Sequence, residues 1–274
     1  MPDAPDDLKR IPYVNFPAQY AEEKEAIMAI VDDVFSKGAF VGGQHIERFE
    51  ATVAEAVGVR HAIALNSGTD ALILAMKGFG IGSGDEVITP PNSFVASAAA
   101  IAALGATPVF ADVKPDQNID PDAVATAITP RTKAIMPVHL TGRVAEMDRI
   151  MEIADRHGLK VIEDAAQSYG SRYQDVMSGA IGHVGCFSAH PLKNLNAAGD
   201  AGFITTDDDN LAARVRLLRN HGLKDRETVV EWGTVSRMDN LQAAILSMRL
   251  VRVDPVIEKR RANARLYREL LQDS

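Results

Sequence analysis

Cysteine is almost missing from this sequence: Cys186 is the only one in 274 residues. One thiol cannot build a disulfide framework within the chain, and it precludes a zinc site made from several cysteines. Positive charge is in deficit. Lys and Arg number 29 against 37 Asp and Glu, a net charge of −8, which argues against a nucleic-acid-binding or anionic-membrane-binding surface. No apolar run approaches the length of a membrane span. The opening Met1-Pro2-Asp3-Ala4-Pro5-Asp6-Asp7 lacks the basic and apolar regions of a signal peptide, so a cytoplasmic location is expected. No internal repeat or low-complexity segment is visible. Aromatics make up only 5% of the chain, so an aromatic beside a candidate site carries weight.

What is present is a hydrophobic content of 46%, enough for a sizeable core in one large domain or a domain and a half. Residues 1–20 are Pro-rich and read as a surface arm. Helices are expected over 21–37, with Ile27, Ile30, Val31 and Val34 inward, and over 46–57. A regular alternation follows: strands at 61–66, 85–89, 107–111, 133–138 and 160–164, with helices at 69–79, 93–104, 120–128 and 144–157 between them. Such alternation implies parallel βαβ units in a sheet covered on both faces, with ligands outside the carboxyl ends of the strands. Further strands are expected at 183–187 and 202–206, and helices at 207–219, 238–250 and 255–271, with 225–234 an exposed connection.

Four stretches carry candidate chemistry. Lys193 lies in a loop rich in Asn, Ala and Gly between the two late strands, after His190-Pro191 breaks the first. It is either a surface lysine in a hairpin loop or an amine able to lose its proton and attack carbonyls. Asn66-Ser67-Gly68-Thr69-Asp70 joins a strand to a helix start. It reads either as an anion cradle at the helix N-terminus or as a simple cap by Ser67 or Thr69. No Gly-Lys-Ser/Thr follows, so it is not a P-loop. The glycines 78, 80, 82 and 84 come after a helix and before a strand, the wrong order for a dinucleotide fingerprint. Phe94, in Pro90-Pro91-Asn92-Ser93-Phe94, is either a ring that stacks on a planar ligand or a core residue under the next helix. Asp164 ends the apolar strand Val161-Ile162-Glu163-Asp164, where a carboxylate needs a cationic partner or caps a turn. Glu163 points to the opposite face and reads as structural.

One ligand uses all of these groups. Pyridoxal phosphate brings a phosphate for a helix N-terminus, a planar ring, a pyridinium nitrogen that needs a carboxylate and an aldehyde that needs a lysine.

The chain resembles the pyridoxal-phosphate-dependent nucleotide-sugar aminotransferases of the DegT/StrS group. The likeness runs through Gly38-Ala39-Phe40-Val41-Gly42-Gly43, Asn66 to Leu72, Glu163-Asp164-Ala165-Ala166-Gln167 and Ser188-Ala189-His190-Pro191-Leu192-Lys193, and ends at Arg219-Asn220-His221-Gly222 and Ser236 to Ala244. The resemblance implies the type I aminotransferase fold, a mixed, mostly parallel α/β sheet with helices on both faces and a small C-terminal domain. It implies that Lys193 is the Schiff-base lysine, that Asp164 pairs with the pyridine nitrogen, that Gln167 contacts the ring hydroxyl and that Phe94 stacks on the ring. Gly68, Thr69 and Ser188 would hold the phosphate. An amino acid, glutamate by resemblance, would donate the amine, and a keto sugar carried on a nucleotide would accept it. Homodimers with shared active sites are expected.

The sequence departs from the family pattern at two places. Ala189 stands where an aromatic is usual, and Val235 replaces an asparagine that reaches the neighbouring subunit's phosphate, a contact valine cannot make. Relatives run on by about a hundred residues, the size of a small domain. The expectation is therefore a large cofactor-binding domain with its arm over 1–250, the start of a truncated small domain over 251–274, and an incomplete substrate site. Two other readings compete: a pyridoxal-phosphate-dependent sugar dehydratase, whose members carry histidine in place of Lys193, and a non-catalytic regulatory homologue.

Overall fold

The computed structural model describes residue 12 and residues 14–272; most of the expected N-terminal arm, residues 1–11 and 13, lies outside them. Helices α1 (Phe16–Lys37) and α2 (Gln44–Val57) precede the alternating run β1 (His61–Leu65), α3 (Gly68–Gly78), β2 (Glu86–Thr89), α4 (Ala96–Ala103), β3 (Thr107–Phe110), α5 (Pro121–Ala127), β4 (Thr132–Ile135), α6 (Met147–His157) and β5 (Lys160–Asp164). A short hairpin, β6 (Arg172–Tyr173) and β7 (Val176–Met177), leads to β8 (Val184–Ser188) and β9 (Gly202–Thr206). Helices α7 (Asp209–Leu218), α8 (Asn240–Leu250) and α9 (Val253–Leu270) follow.

Seven strands form one sheet in the order β1-β9-β8-β5-β4-β2-β3. β9 runs antiparallel to both β1 and β8. The pairs β8–β5, β5–β4, β4–β2 and β2–β3 are parallel. Being opposite to β9, β1 and β8 share a direction. The carboxyl ends of all six parallel strands therefore meet at one edge, and β9 starts there. The chain thus adopts the expected α/β architecture, a mixed and mostly parallel sheet.

The period of two along each strand sorts the core into two layers. Ile63, Leu65, Cys186 and Ile204 face α3 and α7, packing on Leu72, Ala75, Leu211 and Val215. Ala62, Ala64, Phe187 and Phe203 face α2 and α8, packing on Phe49, Val53, Ala243 and Leu246. Phe187 and Phe203 stack at 4.7 Å, and Phe49 meets Phe203 edge-on at 5.6 Å. Each buried Val, Leu, Ile or Phe among them contributes about 1.5–3 kcal/mol.

Several boundaries differ from expectation for local reasons. α1 begins at Phe16, inside the expected arm, because Asn15 accepts from the Ala18 amide at 3.1 Å and proline occupies the first turn. Of its expected inward face only Val34 is buried, while Ile27, Ile30 and Val31 are half-buried; buried Glu23 instead pairs with Arg249 of α8 at 2.6 Å. α4 starts at Ala96, three residues late, which leaves Ser93 and Phe94 on the loop. α6 starts at Met147, after a 3₁₀ turn over Leu140–Gly142. The 225–234 connection is exposed as expected, with Trp232 88% accessible.

Candidate active site

The shared edge of the sheet gathers the candidate residues. β1 and α3 present Ser67, Gly68 and Thr69; the β2–α4 loop presents Ser93 and Phe94; β5 ends at Asp164; β8 ends at Ser188, and its loop carries Lys193. Gly68, Thr69, Phe94, Asp164, Gln167, Ser188 and Lys193 all line a single cavity of about 380 Å³. A larger cleft, about 570 Å³, surrounds Lys114, Arg143, Arg149 and Tyr173. Most of its charges already have partners: Lys114 pairs with Glu146, Arg143 with Asp116, Arg149 with Asp122, Tyr173 donates to Asp148, and Arg172 donates to the Asp175 carbonyl. Chemistry rather than size picks the smaller cavity.

Lys193 is held by its backbone. Its amide donates to the His190 carbonyl at 2.8 Å, and the Ala197 amide closes the loop on the Ala189 carbonyl at 2.7 Å. The Lys193 ammonium has no hydrogen-bond or ion-pair partner among the described residues. Burial holds its amine below the usual lysine value, with Asp164 the opposing pull. A lowered amine loses its proton more readily, which is what carbonyl attack requires. Lys193 is half-buried on the wall of the cavity and not on open surface.

Asp164 is 5% exposed. Ser97 Oγ donates to its Oδ2 at 2.7 Å and the Ala166 amide to its Oδ1 at 3.2 Å. Burial pushes its carboxyl above the usual range, opposed by those two bonds and then by His139 and Lys193. Its charged form would need a cationic partner inside the cavity. Gln167 accepts from the Thr141 amide through Oε1 at 2.9 Å, and its NH₂ has no partner among the described residues. Phe94 is 73% exposed beside the cavity, so the reading that puts it in the core is excluded.

The α3 end of the cavity has the shape of a cradle. Ser67 caps α3 by accepting from the Asp70 amide at 3.1 Å, leaving the first-turn N–H groups of Gly68 and Thr69 without intrahelical acceptors. Cap and anion site are therefore compatible readings of the same turn. A Cβ on Gly68 would lie 2.6 Å from Ser188 Cβ. Close approach of these two backbones gathers the Ser188 hydroxyl and the helix N-terminus into one concave surface. The residues present thus fit an anionic, planar carbonyl compound with a basic ring nitrogen.

Sequence reasoning missed Ser97, His190 and Asp200, which also line the cavity. For Ser97 a signal existed: it stands four residues after Ser93, a helical spacing that puts the two on one face. Glu163 is structural as expected, fully buried and accepting from the amides of Gly179, Ile181 and Gly182.

A half-buried lysine and a buried carboxylate thus share the carboxyl edge of this α/β sheet. The chain belongs to the DegT/DnrJ/EryC1/StrS aminotransferase family, whose model matches residues 21–274. It is 44% identical over 262 residues to a dTDP-3-amino-3,4,6-trideoxy-alpha-D-glucose transaminase of Streptomyces venezuelae, covering 95% of this chain and 69% of that one. It is 43% identical over 265 residues to the pleiotropic regulatory protein of Geobacillus stearothermophilus, covering 96% and 71%. The crystal structure of S. venezuelae DesV in complex with a ketimine intermediate superposes with a TM-score of 0.88 at 44% identity, over 90% of this chain and 67% of that one.

Proposed function

We propose that this protein transfers an amino group from an amino acid, glutamate by family resemblance, to a keto sugar carried on a nucleotide, with pyridoxal phosphate held in the 380 Å³ cavity. The observation that carries the reading is the half-buried Lys193 amine, unpartnered among the described residues and sharing that cavity with buried Asp164. The S. venezuelae relative, named for a dTDP-linked amino sugar, supports a nucleotide-borne substrate.

Bound there, pyridoxal phosphate supplies a carbonyl for amine exchange and a ring that accepts electron density from an adjacent carbanion. The Gly68 and Thr69 amides and the Ser188 hydroxyl bind the phosphate, where the α3 dipole favours an anion. Phe94 would cover the ring and shield it from water. Asp164 faces the ring nitrogen and keeps a proton on it by charge pairing. The Gln167 amide orients the ring hydroxyl. Lys193 would hold the carbonyl end of the cofactor, and its amine would take and return a proton at the substrate carbon.

The single, buried cysteine suits a reducing compartment and supports the cytoplasm. Exposed Phe35, Phe40, Val41 and Trp232 support a homodimer that covers them, with Val235 unable to reach a neighbour's phosphate through an amide. We assign residues 1–250 to the cofactor-binding unit and 251–274 to the start of a second. In support, α9 has no buried residue, in contrast to α8.

The name of the Geobacillus relative favours a second reading, a regulatory homologue without turnover. Lys193, Asp164 and Gln167 in one cavity weigh against it, and Lys193 itself weighs against a dehydratase. The deciding experiment reconstitutes the protein with pyridoxal phosphate and adds glutamate, following loss of the visible band as the cofactor takes the amine. Nucleotide keto sugars are then screened for its return. A visible band that glutamate leaves unchanged would overturn the assignment of glutamate-dependent amino transfer.

A further inference from the structure

Asp164 is joined to the Phe94 loop by a chain of hydroxyls. Ser97, in the first turn of α4 and 2% exposed, donates from Oγ to Asp164 Oδ2 at 2.7 Å. Ser93 Oγ lies 2.8 Å from Ser97 Oγ. An ionised carboxylate only accepts, so the Ser97 proton is committed to Asp164 and Ser93 must donate to Ser97. The chain has one direction, and each bond polarises the next. Ser93 directly precedes Phe94, and the Ser97 amide donates to the Phe94 carbonyl at 3.2 Å. One buried serine therefore touches both the carboxylate that ends β5 and the loop that carries the exposed ring.

We propose that Ser97 is a positioning residue for the cofactor's ring nitrogen: its hydroxyl sets the orientation of the Asp164 carboxylate, and through Ser93 it ties that carboxylate to the loop bearing Phe94. This inference rests on the proposed function, because it is a protonated ring nitrogen that needs an oriented anion at this point. Burial is the largest influence on the Asp164 carboxyl and pushes it towards the neutral form; the Ser97 bond is the strongest opposing one. The other ionisable groups near Asp164 are Lys193 and His139, which favour the charged form, the buried Cys186 thiol, which burial keeps neutral, and Glu163, which is engaged with His139 on the opposite face. Loss of the Ser97 hydroxyl leaves a buried carboxylate with one amide donor, free to rotate and easier to protonate.

The test titrates apoprotein with pyridoxal phosphate and, separately, with the analogue in which carbon replaces the ring nitrogen, following absorbance. The parent chain, Ser97→Ala, Ser97→Thr and Ser93→Ala are compared, each with its thermal midpoint. Ser97→Ala is expected to bind pyridoxal phosphate about tenfold more weakly, the worth of a hydrogen bond to a charged group, with the deficit growing as pH is lowered. Binding of the carbon analogue stays at the parent level, and Ser97→Thr, which keeps the hydroxyl, restores most of the affinity. Ser93→Ala, at a half-buried and more forgiving position, shows a smaller loss of the same selectivity and carries the comparison if Ser97→Ala does not fold. Equal loss for both ligands, or none for either, overturns the inference while leaving the proposed function standing. Failure of the parent chain to bind pyridoxal phosphate overturns the proposed function and this inference with it.

Discussion

His139 Nε2 donates to Glu163 Oε2 at 2.8 Å, and both side chains are completely buried. The Ala145 amide lies 3.3 Å from the other ring nitrogen, so both ring nitrogens are engaged. With the three amides already named, four donors converge on one carboxylate directly behind Asp164. Burial pushes the Glu163 carboxyl up, but His139 and the amides of Gly179 and Gly182 pull harder, so it lies below its ordinary value of 4.5. A folded value below the unfolded one means stability that is present above the ordinary carboxylate range and lost as pH falls through the folded value. Glu163→Gln turns an amide NH₂ towards donors and is expected to cost roughly 3 kcal/mol near neutral pH, with a shallower loss in acid than the parent. Urea unfolding at neutral and acid pH measures both; an unchanged acid limb would refute the linkage.

Asp164 carries the opposite sign. Its folded value is raised by burial, so its charge costs stability at neutral pH, and the cost disappears as pH falls below the unfolded value. Asp164→Asn should therefore leave the apoprotein as stable as the parent or more so, while transamination falls by orders of magnitude and some cofactor still binds. Thermal midpoints and turnover of the same preparation check this. Near-normal turnover would rule out pairing with the ring nitrogen.

Lys193 should become covalently attached to pyridoxal phosphate when the reconstituted, yellow protein is treated with borohydride. Peptide mass spectrometry locates the adduct, and an adduct on any other lysine defeats the assignment. Because burial lowers its amine, attachment should proceed at pH values where an exposed lysine is still protonated. Lys193→Ala should lose at least about a hundredfold in rate, the share of a positioned proton carrier.

Gly202 starts β9 against the proposed phosphate cradle, and a Cβ there would lie 2.3 Å from the Ser67 carbonyl carbon and 2.5 Å from the Gly68 nitrogen. Both are backbone atoms and cannot swing aside. Gly202→Ala is expected to displace the Ser67–Gly68 turn, to cost about 1–3 kcal/mol and to weaken inorganic phosphate and cofactor binding together. Isothermal titration with each ligand tests it; unchanged affinities would separate the cradle from this contact.

Trp232 is 88% exposed beside half-exposed Val229 and Val230. If these residues meet a second copy, Trp232→Glu should shift the sedimentation of the protein towards the monomer without lowering its thermal midpoint as a monomer. A parent chain that already sediments as a monomer at micromolar concentration would contradict the dimer.

The alternation of strands and helices, the candidate lysine after its proline break and the carboxylate ending an apolar strand were legible in the chain, because each depends on residue order along a few neighbouring positions. Periods of two and of 3.6 are local properties, and they placed β1, β5, β8 and β9 to within a residue. The β6–β7 hairpin was not legible, because two-residue strands carry no period. Nor could the chain decide between the two readings of Phe94: spacing is the same for a ring under a helix and a ring beside a cavity, and only the late start of α4 settles it. Ser97 meets Asp164 across 67 residues, and Gly202 meets Ser67 because β9 reverses direction in the sheet. Contacts of that kind arise from strand order, which packing of whole elements decides, and no local pattern records them.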